Sequence, residues 1–128
     1  MKKTMLLAGL AGLAAAGLMA QAEAAITVKD DAGLTVTVAR PALRVGSMAP
    51  SVTELLFAAG GGSQIVGAVN YSDYPEAAKR IPRIGSNREI DMELLISLKP
   101  DLIVAWRHNS SERQIEMVRR LGVPVFQS

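Results

Sequence analysis

Four short apolar runs punctuate the chain after residue 42: Leu43–Ser47, Ile65–Val69, Leu102–Trp106 and Val123–Phe126. Each connection between them carries apolar residues at helical spacing, namely Leu55, Leu56 and Ala59, then Met92, Leu95 and Ile96, then Ile115, Val118 and Leu121. Strands joined through helices run parallel, because a tight turn serves only an antiparallel pair. The run Leu102-Ile103-Val104-Ala105-Trp106 contains no polar residue, the pattern of a strand covered on both faces. The expected fold is therefore α/β: a mostly parallel open sheet with helices on both faces, a Rossmann-like lobe with the carboxyl ends of its strands along one edge.

Local signals set the boundaries. Pro50 suits a helix's first turn, with Ser51 and Thr53 as candidate caps, and Gly60-Gly61-Gly62 stops that helix. Pro75 opens a short polar helix over Glu76–Arg80, and Ile84-Gly85-Ser86 reads as a very short extended piece. Asp91 is a cap for the next helix, Lys99-Pro100-Asp101 breaks the chain, and Ser110 or Ser111 caps the last helix before Gly122. Upstream, Ile26-Thr27-Val28 and Leu34–Val38 bracket an Asp/Gly turn, so residues 25–42 read as a β-hairpin. Residues 43–128 then form one lobe. Its last apolar run is followed by no helix to cover it, so the lobe is expected to be incomplete at Ser128.

Residues 1–24 read as an address. Lys2 and Lys3 precede an uncharged stretch, Met5–Ala20, and Ala22-Glu23-Ala24 has the small residues of a cleavage site, with Ala25 as the mature start. A membrane anchor is the weaker reading, because the stretch is Gly/Ala-rich and short of the roughly 20 residues that span a bilayer. The expected destination is the periplasm, through a cleavable signal peptide.

Composition removes several function classes. With Cys 0 there can be no disulfide, thiolate metal site, cysteine nucleophile or acylated lipoprotein cysteine. The net charge is +2, and setting aside Lys2, Lys3 and Glu23 lowers it further, with no basic stripe for nucleic acid. Neither G-x-G-x-x-G nor G-x-x-x-x-G-K-[ST] occurs, and the glycine run follows a helix rather than a strand. His108 is the single histidine, no serine sits in a G-x-S-x-G elbow, and the carboxylates are scattered. An enzyme is not expected, nor a cofactor or bound metal.

What remains are rings at strand ends. Tyr71 and Tyr74, in Y-S-D-Y-P, follow the second apolar run, and Trp106 closes the third. Rigid rings on loops contact ligands at low entropic cost. Tyr71 favours ligand contact and Tyr74 loop packing, while Trp106 is open between ligand contact and the core. Arg107 can meet a polar ligand atom or pair with Asp73 to brace the two loops. His108 reads first as a solvated loop residue.

R-V-G-S-M-A-P-S-V-T-E-L-L-F-A-A-G at Arg44–Gly60, N-Y-S-D-Y-P at Asn70–Pro75 and I-D-M-E-L-L-I-S-L-K-P-D-L-I-V-A-W-R at Ile90–Arg107 resemble the periplasmic substrate-binding proteins of ferric-siderophore, haem and vitamin B12 ABC importers. Y-S-D-Y-P with A-W-R-x-x-x-x-E-R-Q is most similar to the cobalamin-binding branch. The resemblance implies a class III protein, two α/β lobes joined by a long helix, of which residues 43–128 would be the first. It implies a monomer that captures cobalamin or another corrinoid and delivers it to a polytopic permease, the ATPase being engaged only indirectly. Tyr71 and Trp106 match residues lining the corrin pocket. The loops Ser47-Met48-Ala49-Pro50, Ser86-Asn87 and Arg107-His108-Asn109 would add polar contacts. A further pocket tryptophan of that branch falls on Asn87, a departure that leaves room for a ferric siderophore, and the haem branch is the other alternative. Glu93 matches the first-lobe glutamate that docks the permease, although a carboxylate in a helix's first turn is also favoured by the exposed amides. A stand-alone secreted binding or adaptor module is the alternative of another class; a reading frame continuing beyond Ser128 into a long helix and second lobe would count against it.

Overall fold

Six strands form among residues 24–128, the part of the chain that the computed structural model describes. The expected leader, 1–24, lies outside those residues except for Ala24. β1 (Ile26–Lys29) and β2 (Thr35–Val38) make the antiparallel hairpin, with Val28 opposite Val36. Its turn is built by Asp30. The Asp30 amide donates to the Leu34 carbonyl at 2.9 Å, and its carboxylate accepts from the Leu34 amide at 2.8 Å.

The main sheet contains β3 (Val45–Ser47), β4 (Ile65–Ala68), β5 (Leu102–Ala105) and β6 (Val125–Gln127). All its pairs are parallel and the order is β4-β3-β5-β6. The connections carry α1 (Pro50–Ala58), α2 (Met92–Ser97) and α3 (Glu112–Arg120), with short 3-10 turns at Gly62–Gln64 and Glu76–Arg80. The expected extended piece at Ile84–Ser86 is not a full strand. It is held by isolated bridges, Ala68 to Arg83 and Gly85 to Ile90.

Core packing divides by sheet face. Met48, Ile84, Leu95, Ile103, Ile115 and Val118 pack together under α2 and α3, each at most 2% exposed. Val45, Ala49, Val52 and Val104 form a smaller cluster under α1. Burying a side chain of Leu, Ile or Met size stabilises by about 1.5–3 kcal/mol, so the α2/α3 face supplies most of the apolar stabilisation.

Three helix faces differ from the sequence expectation. On α1 the inward stripe is Val52, Thr53 and half-buried Leu56, while Leu55 and Ala59 face water. The helix starts immediately after Ala49, with Pro50 in its first turn, and neither Ser51 nor Thr53 caps it. Val52 and Leu56, four apart, share the face turned to the sheet. On α2 the Asp91 carboxylate caps the Leu94 amide at 3.0 Å as expected, yet only Leu95 is buried and Ile96 is exposed. On α3 Ile115 and Val118 face the core with Gln114, whereas Leu121 lies past the last turn and is exposed.

The amino edge of the sheet is tied by the Lys99-Pro100-Asp101 break. The Asp101 carboxylate accepts from the Leu43 and Arg44 amides, both at 3.0 Å, and the Arg44 guanidinium donates to the Leu98 carbonyl at 2.7 and 2.9 Å. These bonds leave the opposite edge to the loops that carry the rings.

Candidate functional site

In the order β4-β3-β5-β6 the chain leaves β3 toward β4 and leaves β5 toward β6. The loops after β3 and β5 therefore diverge to opposite faces, opening a crevice at the carboxyl edge between them. Open α/β sheets bind ligands at such a switch point. Pro50 opens α1 at the end of the first of these loops, Trp106–Ser110 belongs to the second, and Asn70–Pro75 follows the neighbouring β4.

The tyrosine loop is bent by its backbone. Tyr71 has φ 67, a left-handed conformation that costs an L-residue about 1–2 kcal/mol. It is held there by flanking bonds, Asn70 amide to Gly85 carbonyl at 2.7 Å and Ser72 amide to Val69 carbonyl at 3.3 Å. The result is a ring 83% exposed beside a buried Ser72. Tyr74 is also exposed and does not pack into the loop as expected; it precedes a cis peptide to Pro75.

Three buried hydroxyls tie this loop to the sheet. Thr53 Oγ1 lies 2.8 Å from Ser47 Oγ and donates to Ser72 Oγ at 3.0 Å, linking α1, β3 and the loop. Thr53→Val keeps the shape and removes the linking hydroxyl. Ser47 Oγ keeps its bond to the Ala49 carbonyl at 3.0 Å, but Ser72 Oγ is left buried without its partner, which costs about 1–3 kcal/mol. Thermal unfolding of the variant is expected to show that loss, with Tyr71 gaining mobility by hydrogen exchange at the Asn70 and Ser72 amides.

The tryptophan loop is tied by another hydroxyl. Ser110 Oγ accepts from the Trp106 amide at 3.1 Å and donates to the Met48 carbonyl at 3.2 Å, crossing the switch point. β5 ends at Ala105, so Trp106 stands outside the strand, 37% exposed and in neither core cluster. His108 meets it edge-on, centroids 6.2 Å apart at 79°.

Between these loops lies a cavity of about 150 Å³. Pro50 and Val69 give it apolar walls, and Asn70, Tyr71, Ser86, Asn87 and Asn109 give it polar ones. A larger hollow, about 770 Å³, lies by Arg40, Asp101 and Pro124, at the amino ends of β5 and β6. That is the edge away from the ring-bearing loops, so the smaller cavity is the candidate site.

Not every residue singled out in the sequence reaches it. Tyr71, Pro50, Ser86, Asn87 and Asn109 line it together. Ser47, Met48 and Ala49 are fully buried: Ser47 serves the hydroxyl network, Met48 the core, and Ala49 the start of α1. Arg107 does not pair with Asp73. Its guanidinium donates to the Asp31 carbonyl of the hairpin at 2.6 Å, while Asp73 pairs with Arg83 at 2.8 Å. Arg83 is nearer because the Ala68–Arg83 bridge carries it alongside β4. Glu93 is exposed in the first turn of α2. The anchoring roles of Asn70, Ser72, Thr53 and Ser110 escaped the sequence reading, which took Thr53 and Ser110 only as candidate helix caps. Ser72, inside the tyrosine motif, had a visible signal. Among the described residues no His, Asp and Glu cluster of metal-binding size occurs.

Comparison with known proteins adds identity to this geometry. Residues 45–126 match a family described as periplasmic binding protein. A vitamin B12-binding protein of Yersinia pestis (strain Pestoides F) is 46% identical over 90 residues, 70% of this chain and 32% of that protein. The crystal structure of the periplasmic vitamin B12 binding protein BtuF of Vibrio cholerae superposes with TM-score 0.65 at 40% identity, covering 69% of this chain and 34% of that one. The periplasmic haem-binding protein RhuT from Roseiflexus sp. RS-1, in apo form, gives TM-score 0.60 at 32% identity, covering 66% and 32%. The chain thus spans about a third of the length of the relatives it matches.

Proposed function

The chain belongs to the periplasmic binding protein family, in its class III, Fe/B12-type branch, and from that premise we propose that it captures cobalamin or a related corrinoid in the periplasm for an ABC importer. The observation that carries this reading is the switch-point crevice with two exposed rings on separately anchored loops, Tyr71 and Trp106. Tyr71 lines the cavity and Trp106 stands exposed on the loop after β5; rigid rings on two anchored loops suit a large, partly flat ligand with polar arms. No bond is made or broken in such a role. Residues 43–128 act here as the first lobe of two, and the rest of the pocket comes from the second.

Haem is the second reading, favoured by the similarity to RhuT and by the exposed Tyr71 phenol. Titrating the full-length protein with cyanocobalamin, haem and a ferric siderophore, followed by calorimetry, separates them. Micromolar or tighter binding of cyanocobalamin alone supports the corrinoid; binding only of haem or the siderophore overturns it.

Delivery requires docking, and Glu93 is our candidate contact with an arginine of the permease. In the same protein, Glu93→Lys is expected to leave ligand affinity unchanged and to weaken permease binding at least about 10-fold, since charge reversal turns attraction into repulsion. A carboxylate that only favours its helix start contributes about 0.3–1 kcal/mol to stability, so a small drop in melting temperature with normal permease binding would sink the docking role.

A further inference from the structure

The polar residues of the cavity beside Tyr71 share a specific chemistry. Three of its lining residues are asparagines, Asn70, Asn87 and Asn109, and none carries a formal charge at neutral pH. Two of these amides are locked to each other. Asn87 Nδ2 donates to the Asn109 backbone carbonyl at 3.2 Å and to Asn109 Oδ1 at 2.8 Å.

That pair of bonds fixes which way both amides face. A backbone carbonyl only accepts, so the Asn87 atom against it must be the nitrogen. The Asn109 atom meeting that nitrogen must then be its oxygen. Asn87 Oδ1 and Asn109 Nδ2 are the groups left over, an acceptor and a donor on adjacent side chains, and neither is engaged by another of the described residues. The backbone holds the arrangement in register: the Ser111 amide donates to the Asn87 carbonyl at 3.4 Å, and the Asn109 amide to the Trp106 carbonyl at 3.1 Å. Ser86 Oγ accepts from the Arg88 and Glu89 amides at 3.3 and 3.1 Å, stiffening the other loop.

A free acceptor and a free donor can together pair with a primary carboxamide, which offers both N–H and C=O. A carboxylate offers acceptors only and would set an oxygen against Asn87 Oδ1 with no cation in the cavity lining to offset it. Size agrees. About 150 Å³ is roughly five water molecules' share of liquid volume at about 30 Å³ each, room for one short arm.

We infer that the Asn87–Asn109 clasp, with Asn70 beside it, is a subsite for a neutral carboxamide arm on the ligand's periphery, and that it discriminates against arms ending in carboxylate. The inference rests on the reading of this chain as a receptor for a large metal chelate, and it names what that receptor reads at the ligand's edge. Corrinoids carry such amide arms, whereas haem carries carboxylates.

The test compares amide with acid within each ligand class, using the full-length protein and calorimetry. One pair is cyanocobalamin and its peripheral monocarboxylic acids; the other is haem and its dipropionamide. At neutral pH the amide member is expected to bind at least about 10-fold tighter than its acid counterpart, for at least one arm position, in whichever pair binds, because a hydrogen-bonding group that loses water to the ligand and finds no partner is penalised at about that level. Asn87→Leu, which removes the clasp, is expected to bring amide and acid within about twofold of each other. Equal affinity for amide and acid overturns the subsite, as does an unchanged ratio in Asn87→Leu. If only the haem pair binds and its amide member wins, the corrinoid reading has failed while the subsite stands. If neither pair binds, both fail.

Discussion

Trp106→Ala is expected to weaken ligand binding by about one and a half to three orders of magnitude, with little change in the unfolding transition. Truncating an aromatic ring that anchors a ligand or partner costs about 2–4 kcal/mol, and each 1.4 kcal/mol is tenfold. The geometry says why the loss should fall on binding and not on folding. Trp106 lies beyond the end of β5, belongs to neither core cluster, and keeps 37% of its surface in solvent. Its backbone bond to Ser110 Oγ and the two turn bonds to its carbonyl do not involve the indole. Alanine can make all three, so the loop should hold its path.

A tryptophan that served as core would behave in the opposite way. Its removal would lower the melting temperature by many degrees, and ligand affinity would follow only as far as the protein unfolded. Trp106→Phe separates the two further. A phenyl ring preserves a flat π face for the ligand and should recover affinity to within about tenfold of the parent. Calorimetric binding and thermal unfolding of both variants decide the matter, and normal affinity in Trp106→Ala would remove the residue from the site.

Much of the architecture was legible because it follows from periodicity. An uninterrupted apolar strand such as Leu102–Ala105 has no stable place except between two covered faces, and helical-length connections force parallel pairing. Caps and breakers were legible for the same local reason: Asp91 lies three residues before the amide it receives. Helix rotation was harder. Whether Leu55 or Val52 faces the sheet depends on the rotation of α1 about its axis, about 100° per residue, which tertiary packing fixes and local propensity does not.

At the site, exposed rings were legible because a tyrosine embedded in Ser, Asp and Pro has no apolar run to join. Partner choice was not. Arg107 and Asp73 sit at adjacent strand ends and looked like a natural pair, but Arg83 reaches Asp73 through an isolated bridge that no sequence period announces. The Thr53 network was hidden in the same way. A hydroxyl in a helix's first turn looks like a cap until the fold shows two other buried hydroxyls waiting on its inner side.

Gly85→Ala is expected to destabilise the protein by about 3 kcal/mol or more and to disable the amide clasp with it, since backbone strain and steric conflict add at one position. Gly85 sits at φ 115, a region where a side chain is strained even with free space around it. Here there is no free space. A Cβ would press on the Glu89 carbonyl oxygen inside van der Waals contact and come within 3.2 Å of the Asp91 amide nitrogen. Both neighbours are backbone, so no rotamer change relieves them. The segment would have to open, straining the Gly85–Ile90 bridge, the Ser86 amide to Glu89 carbonyl bond at 2.9 Å and the Asp91 amide to Ile84 carbonyl bond at 2.8 Å. The Gly85 carbonyl also holds the Asn70 amide, and through it the left-handed turn of Tyr71. One methyl group would thus loosen both the Asn87 loop and the Tyr71 loop. Gly60→Ala is the control: φ is 85 but a Cβ there meets nothing within 4 Å, so only the conformational penalty of about 1–2 kcal/mol applies. Denaturant midpoints and ligand titrations of the two variants should diverge. If Gly85→Ala proves as stable as Gly60→Ala and binds ligand normally, the close approach of Gly85 to Glu89 is not what shapes the site.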